Sequence, residues 1–285
     1  MTTGHHRPRK RFAQHFLAGS WARRVVAAIG YTPGDVFLEI GPGKGAITLP
    51  LAATGAPILA VEVDRDLVER LAPQMPPNVT LVTGNALGID IIPYLSGLDP
   101  QRPADLAHGV APPRRFRIVG NLPYNLTTPI LFQLIEWHRR YAMFADATLM
   151  VQREVADRLT APPDTSEYGV LGISARVHAT ITRLLDLPAS AFTPAPKVRS
   201  SVVRLTFGPP NVRIADEALF DRLLRALFSQ RRKTLQNALK RFDLRAAGAL
   251  ADLGIDPRRR PETLQLSEIG ALVAAVATRL RAPVL

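Results

Sequence analysis

The chain has 285 residues, enough for one large domain and a smaller one with a sizeable core. It has no cysteine, which excludes disulfides, thiolate zinc and cysteine nucleophiles and fits a reducing compartment. Lys and Arg number 36 against 24 Asp and Glu, a net charge of +12, and no apolar stretch approaches the ~20 residues of a membrane span. A cytoplasmic protein with no membrane contact is expected, and the basic amino terminus lacks the apolar run of a signal peptide.

The positive charge is clustered at both ends. From Met1 to Gly34 there is no acidic residue, while Arg7, Arg9, Lys10, Arg11, Arg23 and Arg24 all fall there. A second cluster holds Arg222, Arg225, Arg231, Arg232, Lys233, Lys240, Arg241 and Arg245 against Asp243, and a third is Arg258-Arg259-Arg260. Clusters flanking a neutral middle favour a polyanionic partner over a merely solvated surface.

Between them the pattern alternates strand and helix, as in a parallel sheet covered on both faces. Ser20 is positioned to cap a helix through Ala28. Strands are expected at Asp35 to Ile40, Ile58 to Val63, Val79 to Thr83, Phe116 to Gly120 and Ala147 to Gln152, with helices between them. The proline-rich stretch from Ser96 to Arg115 has no clear period and reads as a long loop. Two strand-like runs follow, Thr180 to Leu187 and Lys197 to Phe207, and the strand signal ends by Ala215. Phe228, Leu235, Leu239 and Phe242 mark one apolar helix face opposite the second basic cluster. The expected division is a basic segment over 1–18, an α/β domain over 19–208, the linker Gly208-Pro209-Pro210 and a small all-α domain over 211–285.

The first strand ends in Glu39-Ile40-Gly41-Pro42-Gly43-Lys44-Gly45. Glycines such as Gly41 and Gly43 let a backbone turn sharply and approach a ligand closely. Their spacing is not the Gly-x-Gly-x-x-Gly that seats a pyrophosphate, so a nucleoside without phosphates fits better. Glu62 closes the second strand, where a carboxylate can accept from both ribose hydroxyls, and Asn85 after the third is placed for an adenine edge. Together these point to S-adenosylmethionine and a Rossmann-like methyltransferase sheet.

Asn121-Leu122-Pro123-Tyr124 follows the Phe116 to Gly120 strand and precedes an apolar segment, a strand-to-helix turn at the carboxyl end of the sheet. An exocyclic purine amine is a poor nucleophile because its lone pair is delocalised into the ring. Two acceptors that pull its hydrogens out of plane restore the lone pair. Asn121 offers a side-chain carbonyl, and Leu122 a backbone carbonyl whose direction is restrained by Pro123. Tyr124 offers a flat face on which a base can stack. His5 and His6 lack a second ligand pair, and no metal site is expected.

With these motifs in view, the chain resembles the KsgA-type rRNA adenine dimethyltransferases, in a wider family that includes the Erm resistance enzymes. The likeness runs from Arg11 to the last helix. It rests on Arg11-Phe12-Ala13-Gln14-His15-Phe16-Leu17, the glycine turn, Val61-Glu62-Val63-Asp64, Asn121 to Asn125, Gln152-Arg153-Glu154-Val155 and Ala191-Phe192-Thr193-Pro194-Ala195-Pro196-Lys197-Val198. The resemblance implies that His15, Leu17, Gly41, Glu62, Asn85 and Asn121 line the cofactor site and that Tyr124 and Phe192 sandwich the flipped adenine. It also implies that the helix beginning near Gln230-Arg231-Arg232-Lys233-Thr234 meets rRNA, with Lys240 and Arg241 on the same basic face. The implied reaction is dimethylation of the N6 amine of two adjacent adenines in a hairpin loop near the 3′ end of small-subunit rRNA, on the immature 30S subunit, by a monomer that requires no protein partner.

Three departures from the family pattern stand out: His15 where many members have Asn, Asn85 in place of Asp, and the longer 96–115 loop. The alternatives are an Erm-type enzyme acting on large-subunit rRNA and a non-catalytic assembly factor. The Asn125 to Pro129 continuation and the developed helical tail weigh against the first, the intact Asn121 to Tyr124 motif against the second.

Overall fold

The computed structural model of the protein describes residues 15–98, 116–229 and 232–281. After the short strand β1 (Phe16–Leu17) comes helix α1 (Gly19–Ile29), then β2 (Val36–Ile40), α2 (Thr48–Ala52), β3 (Ile58–Glu62), α3 (Arg65–Leu71) and β4 (Val79–Thr83). Next are α4 (Ile92–Leu98), β5 (Phe116–Asn121), α5 (Thr127–Tyr141), β6 (Phe144–Gln152), α6 (Arg153–Thr160) and α7 (Val170–His178). The strands end with β7 (Ala179–Leu187), β8 (Phe192–Thr193) and β9 (Ser200–Phe207); helices α8 (Glu217–Ser229), α9 (Leu235–Phe242), α10 (Ala249–Asp252) and α11 (Leu266–Arg281) follow.

Among the described residues a seven-stranded sheet runs in the order β4-β3-β2-β5-β6-β9-β7. The strands from β4 through β6 pair in parallel, while β9 runs antiparallel to β6. All five residues of β2 and of β3 are buried, the continuous burial expected of parallel strands covered on both faces. Ile40 of β2 pairs with Val61 and with Gly120, so β2, β3 and β5 end side by side. Gly120 is required there: a Cβ on it would sit 2.6 Å from the Ile40 carbonyl oxygen.

Helix α1 is held by its end. Ala18 is its N-cap residue and makes no side-chain bond, so Ser20 lies within the first turn and is not the cap. At the other end the buried Arg117 donates to the carbonyls of Ile29 and Gly30, at 2.7 and 2.9 Å, and Arg204 donates to those of Ala28 and Ile29. Two guanidinium groups thus meet the negative end of the helix dipole. Arg117 is itself paired with Asp35 and Asp146, each at 2.8 Å, so its charge is compensated where it is buried.

Packing divides the chain into two compact units, one comprising Met1–Ala156 with Thr180–Phe207 and the other Asp157–Ala179 with Gly208–Leu285. Thus Asp157–Ala179 packs with the carboxyl-terminal helices, although it lies within the 19–208 segment drawn from sequence. In that second unit Tyr168, Ile173, Phe220, Leu227, Leu239, Leu272 and Val276 form the core. Phe228 lies in the last turn of α8, whereas Leu235, Leu239 and Phe242 belong to α9, so the apolar face read as one helix is carried by two. The start of α9 has a local cause: Thr234 is extended (φ −69°, ψ 159°), and its hydroxyl accepts from Asn237 N. Of the 96–115 stretch, Ser96 to Leu98 is helical in α4 and 99–115 lies outside the described residues. No described helix is long and apolar enough to cross a membrane.

Candidate active site

The neighbouring ends of β2, β3 and β5 open into a cavity. On the β2 side the chain turns through Gly41 (φ 72°) and Gly43 (φ 58°), left-handed conformations that glycine alone adopts without strain. The turn is fixed by bonds from Gly41 N to the Val61 carbonyl and from Gly45 N to the Pro42 carbonyl. No side chain projects from Gly41 or Gly43, so the backbone itself lines the cavity.

Glu62, at the end of β3, accepts from Gly43 N through Oε2 at 3.1 Å and from Asp64 N through Oε1 at 3.0 Å. These bonds fix the carboxylate and leave lone pairs on both oxygens for a diol. Burial raises its pKa, and the backbone donors offset only part of that rise. Asn85, past β4, also lines the cavity, and its Oδ1 accepts from Leu87 N at 3.0 Å. That bond holds the amide in an Asx turn and takes one of the two lone pairs of the oxygen.

Asn121 ends β5, and its Nδ2 donates to the backbone carbonyl of His15 at 2.8 Å. Only the NH2 side of an amide can face a carbonyl, so this bond sets which way the group points and leaves Oδ1 as the acceptor. Leu122 is buried and Pro123 follows it; Leu122, Pro123 and Tyr124 line the same cavity. The Tyr124 hydroxyl lies 2.7 Å from Ser200 Oγ. His15 stacks on the Tyr124 ring with centroids 5.2 Å apart, and its Nδ1 is 2.7 Å from the Pro194 carbonyl oxygen.

The site thus brings together His15, Gly41, Gly43, Glu62, Asn85 and the Asn121 to Tyr124 run. Two expected members stand apart. Strand β1 pairs with β8 in antiparallel register, Leu17 opposite Phe192, and both side chains are buried in the core. Leu17 borders a smaller neighbouring cavity, and neither it nor Phe192, 3% exposed, is among the residues lining the main one. In this structure the ring facing Tyr124 is His15, and Phe192 packs in the core. Pairing of Phe192 with Leu17 sets its direction: Phe192 is buried beside Leu17, and Thr193 is exposed.

Glu39 opens the glycine-turn run without a role of its own there, although an acid inside the apolar stretch Val36–Ile40 is a visible signal in the sequence. Glu39 is buried, and neither its Oε2 nor the Thr48 hydroxyl has a hydrogen-bond partner. Burial pushes its carboxyl up to about 7; Thr48 opposes the rise as a nearby dipole, and the charge of Glu62 adds to it.

In the second unit Arg232, Lys233, Lys240 and Arg241 are exposed, with no ion pair or hydrogen-bond partner among the described residues. Lys240 and Arg241 stand in the last turn of α9. Other basic residues of these clusters are neutralised locally: Arg245 by Asp243, Arg258 by Asp256, and Arg259 by Glu268. Arg231 lies outside the described residues, as do residues 1–14 with the first basic cluster up to Arg11.

The model of the family described as ribosomal RNA adenine dimethylase matches residues 5–274. The chain belongs to this family. Among curated relatives it is 41% identical over 277 residues to ribosomal RNA small subunit methyltransferase A of Aromatoleum aromaticum, covering 96% of each chain. It is 42% identical over 280 residues to the protein of the same name from Thiobacillus denitrificans, covering 96% of this chain and all of the relative. The fold is shared with a dimethyladenosine transferase from Plasmodium falciparum (TM-score 0.68, 21% identity, 93% of this chain and 98% of that one). It is also shared with the 23S rRNA methyltransferase ErmE (TM-score 0.62, 22% identity, 92% and 99%). As a member of the family the protein is an rRNA adenine dimethyltransferase with a Rossmann-like methyltransferase sheet and a carboxyl-terminal helical region.

Proposed function

We propose that the protein dimethylates the N6 amines of two adjacent adenines in a hairpin loop near the 3′ end of small-subunit rRNA during maturation of that subunit, with S-adenosylmethionine as methyl donor. The observation that carries this reading is the Asn121 amide, turned by its bond to His15 so that Oδ1 is the acceptor, in one cavity with the glycine turn and Glu62.

The donor set fits S-adenosylmethionine. Gly41 and Gly43 leave room for a ligand against the backbone, Glu62 has lone pairs for ribose hydroxyls, and Asn85 retains acceptor capacity for an adenine amine. His15, Asn121 and the backbone of Leu17 would hold the methionine end. When bound, this cofactor supplies an electrophilic sulfonium methyl for direct in-line transfer.

The remaining work falls to the protein. The target base must leave its stack, at a cost of a few kcal/mol, and stacking on Tyr124 offsets roughly 1–3 kcal/mol of that. Asn121 Oδ1 and the Leu122 carbonyl accept the two amine hydrogens, which makes the nitrogen pyramidal and frees its lone pair. Holding that nitrogen ~3 Å from its electrophile supplies much of the acceleration. No strong base is needed, because the proton becomes acidic once the nitrogen carries positive charge. Arg232, Lys233, Lys240 and Arg241 would meet rRNA phosphates, with Arg231 beside them in sequence, and the helical unit over 211–285 would be the rRNA-binding part.

The test incubates the protein with labelled S-adenosylmethionine and, separately, small and large ribosomal subunits from an unmethylated strain, then maps the labelled base. The expected product is dimethyladenosine at two neighbouring positions of the small-subunit rRNA. Label confined to large subunits, or absent from both, refutes the reading.

A further inference from the structure

Tyr124 lies in the turn between β5 and α5, where no regular element holds it. A base platform nonetheless has to be fixed. Aromatic stacking tolerates sliding and tilting, because every base presents a similar π-face. The amine, however, must reach Asn121 Oδ1 in one geometry, and a misplacement of ~1 Å can cost about a hundredfold in rate. Something other than the base must therefore set the ring.

The structure supplies that restraint from another strand. Ser200 is 1% exposed and opens β9, with its Oγ 2.7 Å from the Tyr124 hydroxyl. Sheet register explains how it gets there. Asn121 pairs with Met150 of β6, and Ser200 pairs with Gln152, two residues further along the same strand. Ser200 thus stands just past the level at which β5 ends and the turn begins. A bond at the far end of the ring restrains both side-chain torsions of Tyr124. Burial raises the phenol pKa, so the group stays a neutral hydroxyl able to donate or accept. His15 covers one face of the same ring, and its 5.2 Å spacing is too narrow to admit a base between them.

We propose that Ser200 is a positioning residue for methyl transfer: its hydroxyl anchors the Tyr124 ring to the sheet and so fixes the plane of the target adenine relative to Asn121. This rests on the function proposed above, with Tyr124 as the base platform.

A double-mutant cycle on the full-length protein tests it. Immature small subunits from an unmethylated strain serve as substrate with labelled S-adenosylmethionine, and kcat and KM are measured for wild type, Ser200→Ala, Tyr124→Phe and the double variant. Each single variant is expected to lower kcat about tenfold, and the double to fall no further than the worse single. Cofactor affinity by calorimetry is expected to be unchanged throughout, and Ser200→Thr, which keeps the hydroxyl, to recover most of the rate. Independent losses that multiply to about a hundredfold in the double variant overturn the inference. So does a Ser200→Ala protein with a lowered melting temperature but wild-type kcat, which is the behaviour of a core hydroxyl. In both cases wild-type transfer to adenine leaves the proposed function standing. If the wild type methylates no adenine, that reading falls and this one falls with it.

Discussion

Replacing Glu39 by Gln removes the acidic group that β2 carries into the core, and the consequence depends on pH in a defined way. Burial raises the carboxyl from its ordinary 4.5 to about 7. Below 4.5 both folded and unfolded chains hold the proton, and no buried charge has to be accommodated. Between 4.5 and about 7 the unfolded chain releases the proton while the folded one keeps it, so this residue lowers stability as pH rises. Above about 7 the penalty is complete; at roughly 1.4 kcal/mol per pKa unit it amounts to about 3 kcal/mol. Gln has no proton to lose, so Glu39→Gln should gain on the wild type by that amount across the window. Urea unfolding of the cofactor-free protein and the variant, at intervals from about pH 4.5 to pH 8, measures the difference. Carboxylates that do not sense Glu39 titrate identically in both proteins and cancel, which leaves Glu39 and the Glu62 charge coupled to it. Any fixed cost of fitting the Gln amide shifts the whole curve without changing its slope. Parallel stability curves would refute the reasoning, because they would mean that Glu39 is as easily ionised in the fold as out of it.

Asn121→Ala is expected to retain less than about a tenth of wild-type turnover while rRNA binding persists, since it removes an acceptor used as the amine pyramidalises; single-turnover transfer and filter binding check the two halves. Glu62→Ala should instead weaken S-adenosylmethionine binding, and unchanged calorimetry would remove Glu62 from the ribose site. Converting Arg232, Lys233, Lys240 and Arg241 to Glu should weaken rRNA binding and flatten its salt dependence, by roughly one unit of slope for each phosphate no longer neutralised, with cofactor affinity intact. A salt slope equal to wild type would mark the cluster as solvated surface.

The parallel core of the sheet was legible because strands buried on both faces leave continuous apolar runs, and the chemistry sits on short segments at their ends. Val79–Thr83 has the expected bounds, and β2, β3 and β5 differ from expectation by a residue at one end. The helical interior was harder to divide. Apolar residues keep a helical spacing from Phe228 to Phe242, yet a new helix starts after Thr234, whose extended backbone is a feature that spacing does not record. For Phe192 the motif identified the residue but not its direction. A two-residue strand has no alternation to count, and only its pairing with β1 shows that the ring faces the core beside Leu17.

The groups that orient the site lie far in sequence from the residues they orient, so no single motif joins them. His15 is 106 residues from Asn121, and Ser200 is 76 residues from Tyr124. Each comes within reach through pairings the local sequence does not specify: β1 against β8 brings His15 beside Pro194, and β9 against β6 brings Ser200 to the end of β5. Such bonds have a physical logic. An acceptor or a stacking face on a turn has the right chemistry but too much freedom, and a hydrogen bond to a distant, buried strand removes that freedom without altering the chemistry. A residue like Ser200 is therefore predictable in kind, as a small polar group at a buried strand end opposite an exposed turn, even though its identity emerges only once the strand order β5-β6-β9 is known.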